Sequence, residues 1–353
     1  MNILYNNVCI ESLGYLLPEN KLTSSEIETQ LSPIYEKLKL PFGRLEMMSG
    51  IKERRLWNKG TLPSQAAIKA GQEVLHNSGF SIDKIGCLIH CAVCRDCMEP
   101  ATASIIHHSL NLSKETLVYD ISNACLGILN GIISVANMIE LGQIKAGLLV
   151  AGECAESLIE GTIHKILSDP AIDRKTIKPH FASLTIGSAA VAMLLTHTSI
   201  SKNQHRLIGA AIKTASEHNK LCQGDTVNKI LRDNSNNHLE MQTDSEQLMK
   251  TGCELAGVTW EVLKGCLNWD NNTPNRVFTH QVGIAHRKLL YQTTGIDLGK
   301  DFPTLEFLGN VGSVSLPITF ALGIEKNLVV KGDKIALLGI GSGLNCIMMG
   351  VEW

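Results

Sequence analysis

Three side chains of this 353-residue chain could together perform thioester chemistry: Cys125, His280 and Asn310. Cys125 follows a short apolar segment, residues 117–121, and precedes a long one, so we predict that it lies at a strand-to-helix turn. Unpaired N–H groups and the positive end of the helix dipole would stabilise a thiolate there, and a thiolate is an acyl-accepting nucleophile. A buried structural cysteine is the alternative, since free cysteine is among the most buried residue types.

His280 and Asn310 are candidate partners for such a nucleophile. His280 directly follows the apolar segment 276–279, and Asn310 has the same place in the second part of the chain as Asn123 has in the first. We therefore expect a thiol, an imidazole and an amide at the same end of two paired half-sheets. With eleven cysteines and twelve histidines, other pairs remain open. Four histidines are interpreted as ordinary surface or core residues: His90, His107, His108 and His286.

An internal spacing indicates two related halves. Asn123 opens a turn–helix–strand unit that ends at Gly152, and Asn310 opens a similar unit that ends at Gly339; each spans 29 positions. The repeated order of elements predicts an α/β protein with two duplicated halves. We place the division near residue 200, which gives an N-terminal half of residues 1–200 with the cysteine. The C-terminal half, residues 201–353, contains the histidine and the asparagine.

The elements that must position these residues are readable from local patterns. The segment 126–141 is apolar on nearly every face, which predicts a helix buried on all sides in a central layer between sheets. Pro317 fits its helix only in the first turn, where no backbone donor is missed. Thr23 and Glu26 have the spacing of a capping box, and an Ala-rich helix should end at Gly79.

A cysteine-rich segment precedes a candidate base. Cys91, Cys94 and Cys97 partly match an iron–sulfur run, but Ala101 occupies its fourth position. We interpret these cysteines as the lining of the loop that contains Glu99, with metal or cluster binding as an alternative. Glu99 would be a functional base only if that loop folds over a cysteine, since a loop carboxylate is normally a solvated charge.

The glycines of residues 339–343 are predicted to form a flexible loop after a strand. Backbone amides there could approach a carbonyl oxygen closely, as an oxyanion hole requires. A tight strand-to-strand turn is the alternative. The segment does not match a dinucleotide fingerprint, because no helix follows and the third glycine spacing is absent.

Composition excludes several classes of protein. Hydrophobic residues make up 44% of the chain, which excludes a disordered or fibrous protein. Lys plus Arg (32) nearly balances Asp plus Glu (34), so no general attraction to nucleic acid or an anionic membrane is expected. We find no secretory signal and no transmembrane segment. Eleven irregularly spaced cysteines indicate a reduced, cytoplasmic protein whose thiols are mostly buried, one of them reactive and ten packing.

Three motifs carry a resemblance to a known family. Residues 123–126, 280–282 and 309–312 resemble the Cys, His and Asn motifs of the thiolase-fold condensing enzymes of the ketoacyl synthase III type. The chain is most similar to the branch that condenses two long-chain acyl-CoA molecules head to head. The order of motifs is kept along essentially the whole chain, and further similar segments are residues 49–51, 54–57, 95–100, 217–222 and 335–346.

The resemblance implies a five-layer αβαβα fold of two duplicated halves and a homodimer. It also implies roles for single residues. Cys125 would accept the acyl group, and His280 and Asn310 would bind the thioester oxygen of the second substrate and stabilise its enolate. Glu99 would reach into the partner subunit's site as the base. The backbone N–H groups of Cys125 and Ser342 would form the oxyanion hole.

These observations lead to one functional hypothesis and three alternatives. The hypothesis is a non-decarboxylative Claisen condensation of two fatty acyl-CoA molecules to a 2-alkyl-3-ketoacyl-CoA. Coenzyme A thioesters are the substrates, no cofactor or metal is expected, and enzymes that consume the product are candidate partners. The residues that bind the coenzyme A moiety are not identified. The alternatives are a decarboxylative 3-oxoacyl-[acyl-carrier-protein] synthase III that uses malonyl-carrier protein, a catalytically silent thiolase-fold subunit, and a metal or cluster protein.

Overall fold

The structure is a computed structural model that describes residues 1–224 and 239–353. The described strands are β1 (Asn2–Leu4), β2 (Val8–Leu16), β3 (Asn20–Thr23), β4 (Glu53–Leu56), β5 (Cys87–His90), β6 (Leu117–Asp120), β7 (Ala146–Glu153), β8 (Ala189–His197), β9 (Arg206–Thr214), β10 (Cys222–Gly224), β11 (Met241–Thr243), β12 (Arg276–Thr279), β13 (Lys334–Gly341) and β14 (Asn345–Glu352). The described α-helices are α1 (Ser24–Gln30), α2 (Ser32–Lys37), α3 (Arg44–Ser49), α4 (Pro63–Ser78), α5 (Thr102–Ser109), α6 (Gly127–Glu140), α7 (Glu156–Ser168), α8 (Ser245–Leu267), α9 (Ile284–Thr294), α10 (Leu305–Leu308) and α11 (Ser315–Glu325).

The central sheet consists of two half-sheets that meet at one strand pair. The first half-sheet has the order β2-β8-β7-β5-β6, and the second has the order β12-β13-β14-β9, with β1 paired to β9. Cys9 of β2 and Arg206 of β9 form the pairing between the halves. The division predicted near residue 200 falls between β8 and β9, although β1 lies in the second half-sheet. The two-domain division itself remains a prediction.

Five layers result from the packing of helices on these half-sheets. Helices α6 and α11 lie in the middle, where α6 contacts β7 and β8 while α11 contacts β12 and β2. Helices α4 and α5 cover the outer face of the first half-sheet, and α8 and α9 cover the outer face of the second. The predicted αβαβα architecture is confirmed.

Several local predictions are confirmed by the same elements. Thr23 and Glu26 form the capping box of α1, and Gly79 ends α4 in the left-handed conformation. Pro317 lies in the first turn of α11, where helical N–H groups have no partner within the helix. Helix α6 is buried on several faces, as expected for a central layer, and its fully buried residues include Ile128, Val135, Ala136 and Ile139.

The prediction of a flexible glycine loop at residues 339–343 is wrong. Gly339 and Gly341 belong to β13, and a tight turn connects β13 to β14. A Cβ atom on Gly341 would lie 2.8 Å from Cγ of Leu126, and one on Gly339 would overlap Leu129. The glycines therefore allow β13 to approach the start of α6 closely, and the strand-to-strand turn is the correct alternative.

The expectation that ten cysteines are packing residues is wrong for Cys97. Five of the eleven are buried, five are half-buried and Cys97 is exposed. A free cysteine packs like a small hydrophobic residue where its part of the chain is buried. Residues 91–101 form a loop, and Cys97 lies on the exposed part of it. No described helix is long and apolar enough to cross a membrane.

Candidate active site

Cys125 lies in a strained turn between β6 and α6. Ala124, just before it, has φ +46°, a left-handed conformation that residues with a Cβ rarely adopt. The N–H of Leu126 donates to the carbonyl oxygen of Asn123 at 2.9 Å and closes the turn. Strain of this kind is concentrated at functional sites, where the surroundings enforce it. The sequence predicts the turn but not the conformation of Ala124, which has no distinctive residue type.

His280 follows β12 and is buried as a neutral imidazole. Its backbone N–H donates to the carbonyl oxygen of Leu338 in β13 at 3.0 Å, and the residue is only 4% exposed. Burial, with a smaller contribution from His286, lowers the pKa of His280 to about 3. Its Nδ1 has no hydrogen-bond partner among the described residues. The ring is therefore uncharged at neutral pH.

Asn310 is fixed by three hydrogen bonds. Its backbone N–H donates to Thr185 at 2.9 Å, and its carbonyl oxygen accepts from Gly187 at 2.8 Å. Its side-chain oxygen accepts the N–H of Gly312 at 3.1 Å. The last bond assigns the oxygen of the amide and so the direction of its NH2 group. Asn310 can therefore present two oriented donors.

Two packing contacts bring the second half of the chain to the cysteine turn. Gln281, next to His280, donates its N–H to Ser315 Oγ at 3.2 Å, which ties the histidine segment to the start of α11. A Cβ atom on Gly127 would lie 3.4 Å from the Cβ of Ser313, so the start of α6 lies against the asparagine turn. Together with the close approach of β13 to α6, these contacts bring the three motif segments together.

The expected stabilisation of a Cys125 thiolate is wrong. Burial raises the pKa of Cys125 to about 12, and negative charge at Cys222 and Glu153 acts in the same direction. Helix α6 begins at Gly127, so the thiol lies two residues before the first helical residue, and desolvation outweighs the helix dipole. The resting group is the thiol, and attack on a thioester requires loss of its proton.

This protonation state predicts the pH dependence of Cys125 alkylation. A raised pKa keeps the thiol protonated below about pH 12, so we expect the alkylation rate to rise about tenfold per pH unit from pH 7 to pH 10, without a plateau. The measurement is iodoacetamide labelling of the Cys125 peptide followed by mass spectrometry, with glutathione as the free-thiol reference. A plateau below pH 9 would contradict a desolvated thiol.

A chain of asparagines connects the cysteine turn to the turn after β13. Asn123 donates to Asn130 at 2.8 Å, and Asn345 donates to Asn123 at 3.3 Å and to the carbonyl oxygen of Ser342 at 3.5 Å. The chain fixes the backbone of the turn that contains Ser342 relative to Asn123. Its members Asn130 and Asn345 are absent from the sequence prediction, because residues 222 positions apart share no local pattern.

Loss of this connection should slow acylation of Cys125. Replacing Asn345 by Ala removes both donors to the neighbouring turn, and we expect acylation to fall about tenfold because a small displacement misaligns oxyanion donors. Single-turnover release of coenzyme A measures this step. Thr214→Val is the matched control, because Thr214 donates only to the oxygen of Asn345 at 3.0 Å. Equal rates for both variants would contradict the role of the asparagine chain.

Glu99 lies on the exposed part of the loop of residues 91–101. No hydrogen bond or ion pair joins its carboxylate to a residue of the described ranges. The root of the loop is well anchored: the N–H groups of Val93 and Cys94 donate to Glu153, and Asp96 accepts from Ser64 at 2.9 Å. The structure of one chain thus fixes where the loop starts and leaves Glu99 at the surface.

Metal binding finds no support in the described part of the chain. No group of three or more His, Cys, Asp or Glu side chains there is arranged to hold a metal ion. Cys91 is buried in the core, whereas Cys97 is exposed to solvent. The two thiols therefore lie in different environments. The cysteine spacing alone does not produce a ligand set.

A cavity of about 700 Å³ opens beside the paired strands β10 and β11. Its lining contains both signs of charge: the cations Arg44, Lys175, Lys178 and Lys220, and the carboxylates Glu240, Asp244 and Glu246. Its wall also contains Leu221 and Gln223, which flank Cys222. Sequence reasoning misses it because its cations come from segments far apart in the chain.

Comparisons with known proteins show the family and the fold of the chain. Residues 267–353 match the family described as 3-Oxoacyl-[acyl-carrier-protein (ACP)] synthase III C terminal. The chain is 42% identical to the acyl-CoA:acyl-CoA alkyltransferase of Shewanella oneidensis, with 99% of each chain covered. It is 36% identical to the protein of that name from Xanthomonas campestris, covering 99% of this chain and 100% of that one. A crystal structure of a Xanthomonas campestris OleA variant with bound lauric acid and lauroyl-CoA has a TM-score of 0.92 and 35% identity, covering 99% and 100% of the two chains.

Proposed function

Because the chain belongs to the acyl-CoA:acyl-CoA alkyltransferases, a family of thiolase-fold condensing enzymes, we propose that it condenses two fatty acyl-CoA molecules head to head. The observations that support the proposal are the contacts between the segments that flank a strained cysteine turn, a buried neutral His280 and an oriented Asn310. These groups supply a nucleophile and two neutral hydrogen-bonding partners for an oxyanion.

The first half-reaction acylates Cys125. The sulfur attacks the thioester carbon of the first acyl-CoA, and the carbon–sulfur bond to coenzyme A breaks. Coenzyme A leaves with the proton that the thiol loses. Backbone N–H groups of Cys125 and Ser342 bind the carbonyl oxygen as negative charge develops on it.

The second half-reaction forms the carbon–carbon bond. The Glu99 carboxylate removes a proton from the α-carbon of the second acyl-CoA, and His280 and Asn310 hold the enolate oxygen by hydrogen bonds. The enolate carbon attacks the acyl-Cys125 carbonyl, and the bond to sulfur breaks. A 2-alkyl-3-ketoacyl-CoA leaves, and the proton that Glu99 removed passes to the sulfur, which restores both the thiol and the carboxylate. A dry site is needed because the α-proton is weakly acidic.

Glu99 acts, in this proposal, on the site of a second copy of the chain. Glu99 is exposed on its loop. Two apolar side chains of the same loop are exposed as well, Met98 by 81% and Val93 by 51%. Apolar side chains around a carboxylate favour burial against another protein surface. A two-fold dimer would then contain two sites, each with its own cysteine and the partner's base.

The cavity beside β10 and β11 is the proposed site for the phosphates of coenzyme A. Arginine and lysine bind phosphate oxygens by charge-assisted hydrogen bonds, and the cations in the lining outnumber the carboxylates by four to three. The lauroyl-CoA bound in the related structure supports a fatty acyl thioester as the ligand. No cofactor beyond these thioester substrates is required. Free, irregularly spaced cysteines favour a cytoplasmic location.

The function is tested by incubating the purified protein with a long-chain acyl-CoA alone. We expect intact mass spectrometry to detect acylation at Cys125 and product analysis to detect the condensed β-keto thioester. Product that appears only with a malonyl donor, with release of CO2, would identify the decarboxylative alternative instead. Absence of acylation in folded protein, with no product under either condition, would identify a silent subunit.

A further inference from the structure

Glu153, the last residue of β7, is a buried carboxylate with four hydrogen bonds. It is 4% exposed. Its Oε1 accepts the N–H of Val93 at 3.0 Å and both the N–H and the hydroxyl of Ser313 at 3.1 and 2.6 Å. Its Oε2 accepts the N–H of Cys94 at 3.1 Å. A buried charge is tolerated when donors surround it in this way, and the adjacent start of α11 adds the positive end of a helix dipole.

These bonds join two segments that are far apart in the sequence. Val93 and Cys94 begin the loop that leads to Glu99, and Ser313 lies three residues after Asn310. The Glu153 carboxylate therefore connects the loop of the proposed base with the turn of the proposed enolate donor. Its charge also contributes to the raised pKa of Cys125, which opposes formation of the nucleophile. Glu153 therefore does not promote ionisation of the Cys125 thiol.

We infer that Glu153 is a positioning residue for the condensation step, holding the loop of Glu99 and the turn of Asn310 at a fixed separation. The inference rests on the proposed function. Both groups that it holds act on the second acyl-CoA, whereas acylation needs neither of them. A carboxylate matches this position because all four of its hydrogen-bond partners are donors. A glutamine would turn its NH2 group toward either the three donors on the Oε1 side or the one donor on the Oε2 side, and would leave buried groups unpaired.

The test separates the two half-reactions in Glu153→Gln. We expect the single-turnover release of coenzyme A to stay within about threefold of the wild-type rate, and product formation to fall about 100-fold, since a displacement near 1 Å can cost that much. Ser313→Ala removes one of the four bonds and should lower condensation about tenfold. In the double variant the two losses should not multiply, because both break the same connection.

Glu156→Gln is the matched control. Glu156 is a neighbouring carboxylate that accepts from Ser188 at 3.2 Å and forms no hydrogen bond to residues 310–314 in the described part of the chain, so both half-reactions should stay near the wild-type rates. If Glu153→Gln does not fold, Ser313→Ala and Glu153→Asp decide the question in the same assay. Equal losses of acylation and condensation, or unchanged condensation in a folded variant, would overturn the inference.

Hydrogen exchange distinguishes this inference from the proposed function. Amide exchange in residues 91–101 and 310–314 should be faster in Glu153→Gln than in wild type, and this readout needs no substrate. If the wild type fails to condense acyl-CoA while exchange responds as expected, the proposed function is wrong and the connection stands. If exchange in both segments is unchanged, the connection itself is refuted.

Discussion

Mixed dimers of Cys125→Ala and Glu99→Ala protomers are expected to regain a condensation activity that neither variant has alone. Cys125→Ala removes the acyl acceptor, and Glu99→Ala removes the base while leaving Cys125 able to be acylated. General-base catalysis contributes about 10²–10⁴-fold, so each homodimer should be almost inactive in condensation. In a mixed dimer one site combines an intact cysteine with an intact carboxylate from the other protomer. Random mixing should restore about one quarter of the wild-type sites.

The measurement is product formation by heterodimers isolated with two different affinity tags, in which about half of the sites should be competent. The matched control mixes Cys125→Ala with His280→Ala. Both residues belong to the same site, so that combination repairs no site and should remain inactive. If the Cys125→Ala and Glu99→Ala pair also stays inactive, the base acts within its own chain and the proposed exchange across the dimer is wrong.

Asn310→Ala is expected to lower condensation by about 10²–10³-fold while acylation changes little, because one preorganised donor to an oxyanion contributes about that much. The substitution removes only the side chain, and the backbone bonds of Asn310 to Thr185 and Gly187 can remain. Asn310→Asp should be more damaging still, since a carboxylate would repel the enolate. Coenzyme A release and product formation, measured separately, report the two steps.

Asn272→Ala is the control for this substitution, since Asn272 is an exposed asparagine before β12 and belongs to none of the three motifs. It should leave both steps unchanged. An Asn310→Ala variant that loses acylation and condensation by the same factor would place the amide in acyl transfer instead. His280→Ala, assayed in parallel, should resemble Asn310→Ala in the condensation step, because the neutral ring is the other proposed partner of the enolate oxygen.

Errors of sequence reasoning at this site concern electrostatics and burial. The position of Cys125 before a helix predicts a low pKa, yet burial raises the pKa to about 12. The dipole of a helix is a local property that the sequence reveals, whereas desolvation depends on all layers packed around the thiol. The prediction of a loop at the glycines of β13 is wrong for a similar reason. These positions need glycine because β13 packs closely on Leu126, which lies in the other half of the chain.

The sequence by itself determined the features that depend on near neighbours. These include helix α6 with its apolar faces, the capping box of Thr23 and Glu26, and the ends of strands before Cys125 and His280. Motif resemblance added the family and the architecture, both confirmed. Periodicity and capping act over a few residues, so a linear reading finds them.

Only the tertiary structure decided which distant groups meet. Glu153 contacts Ser313 across 160 positions, and the cations of the cavity come from segments between residues 44 and 220. The sequence did contain one unused signal, a carboxylate at the end of the otherwise apolar β7. Its meaning depended on four donors supplied by two other segments. A buried charge is explained by its partners, and partners are fixed by the packing of the layers rather than by order along the chain.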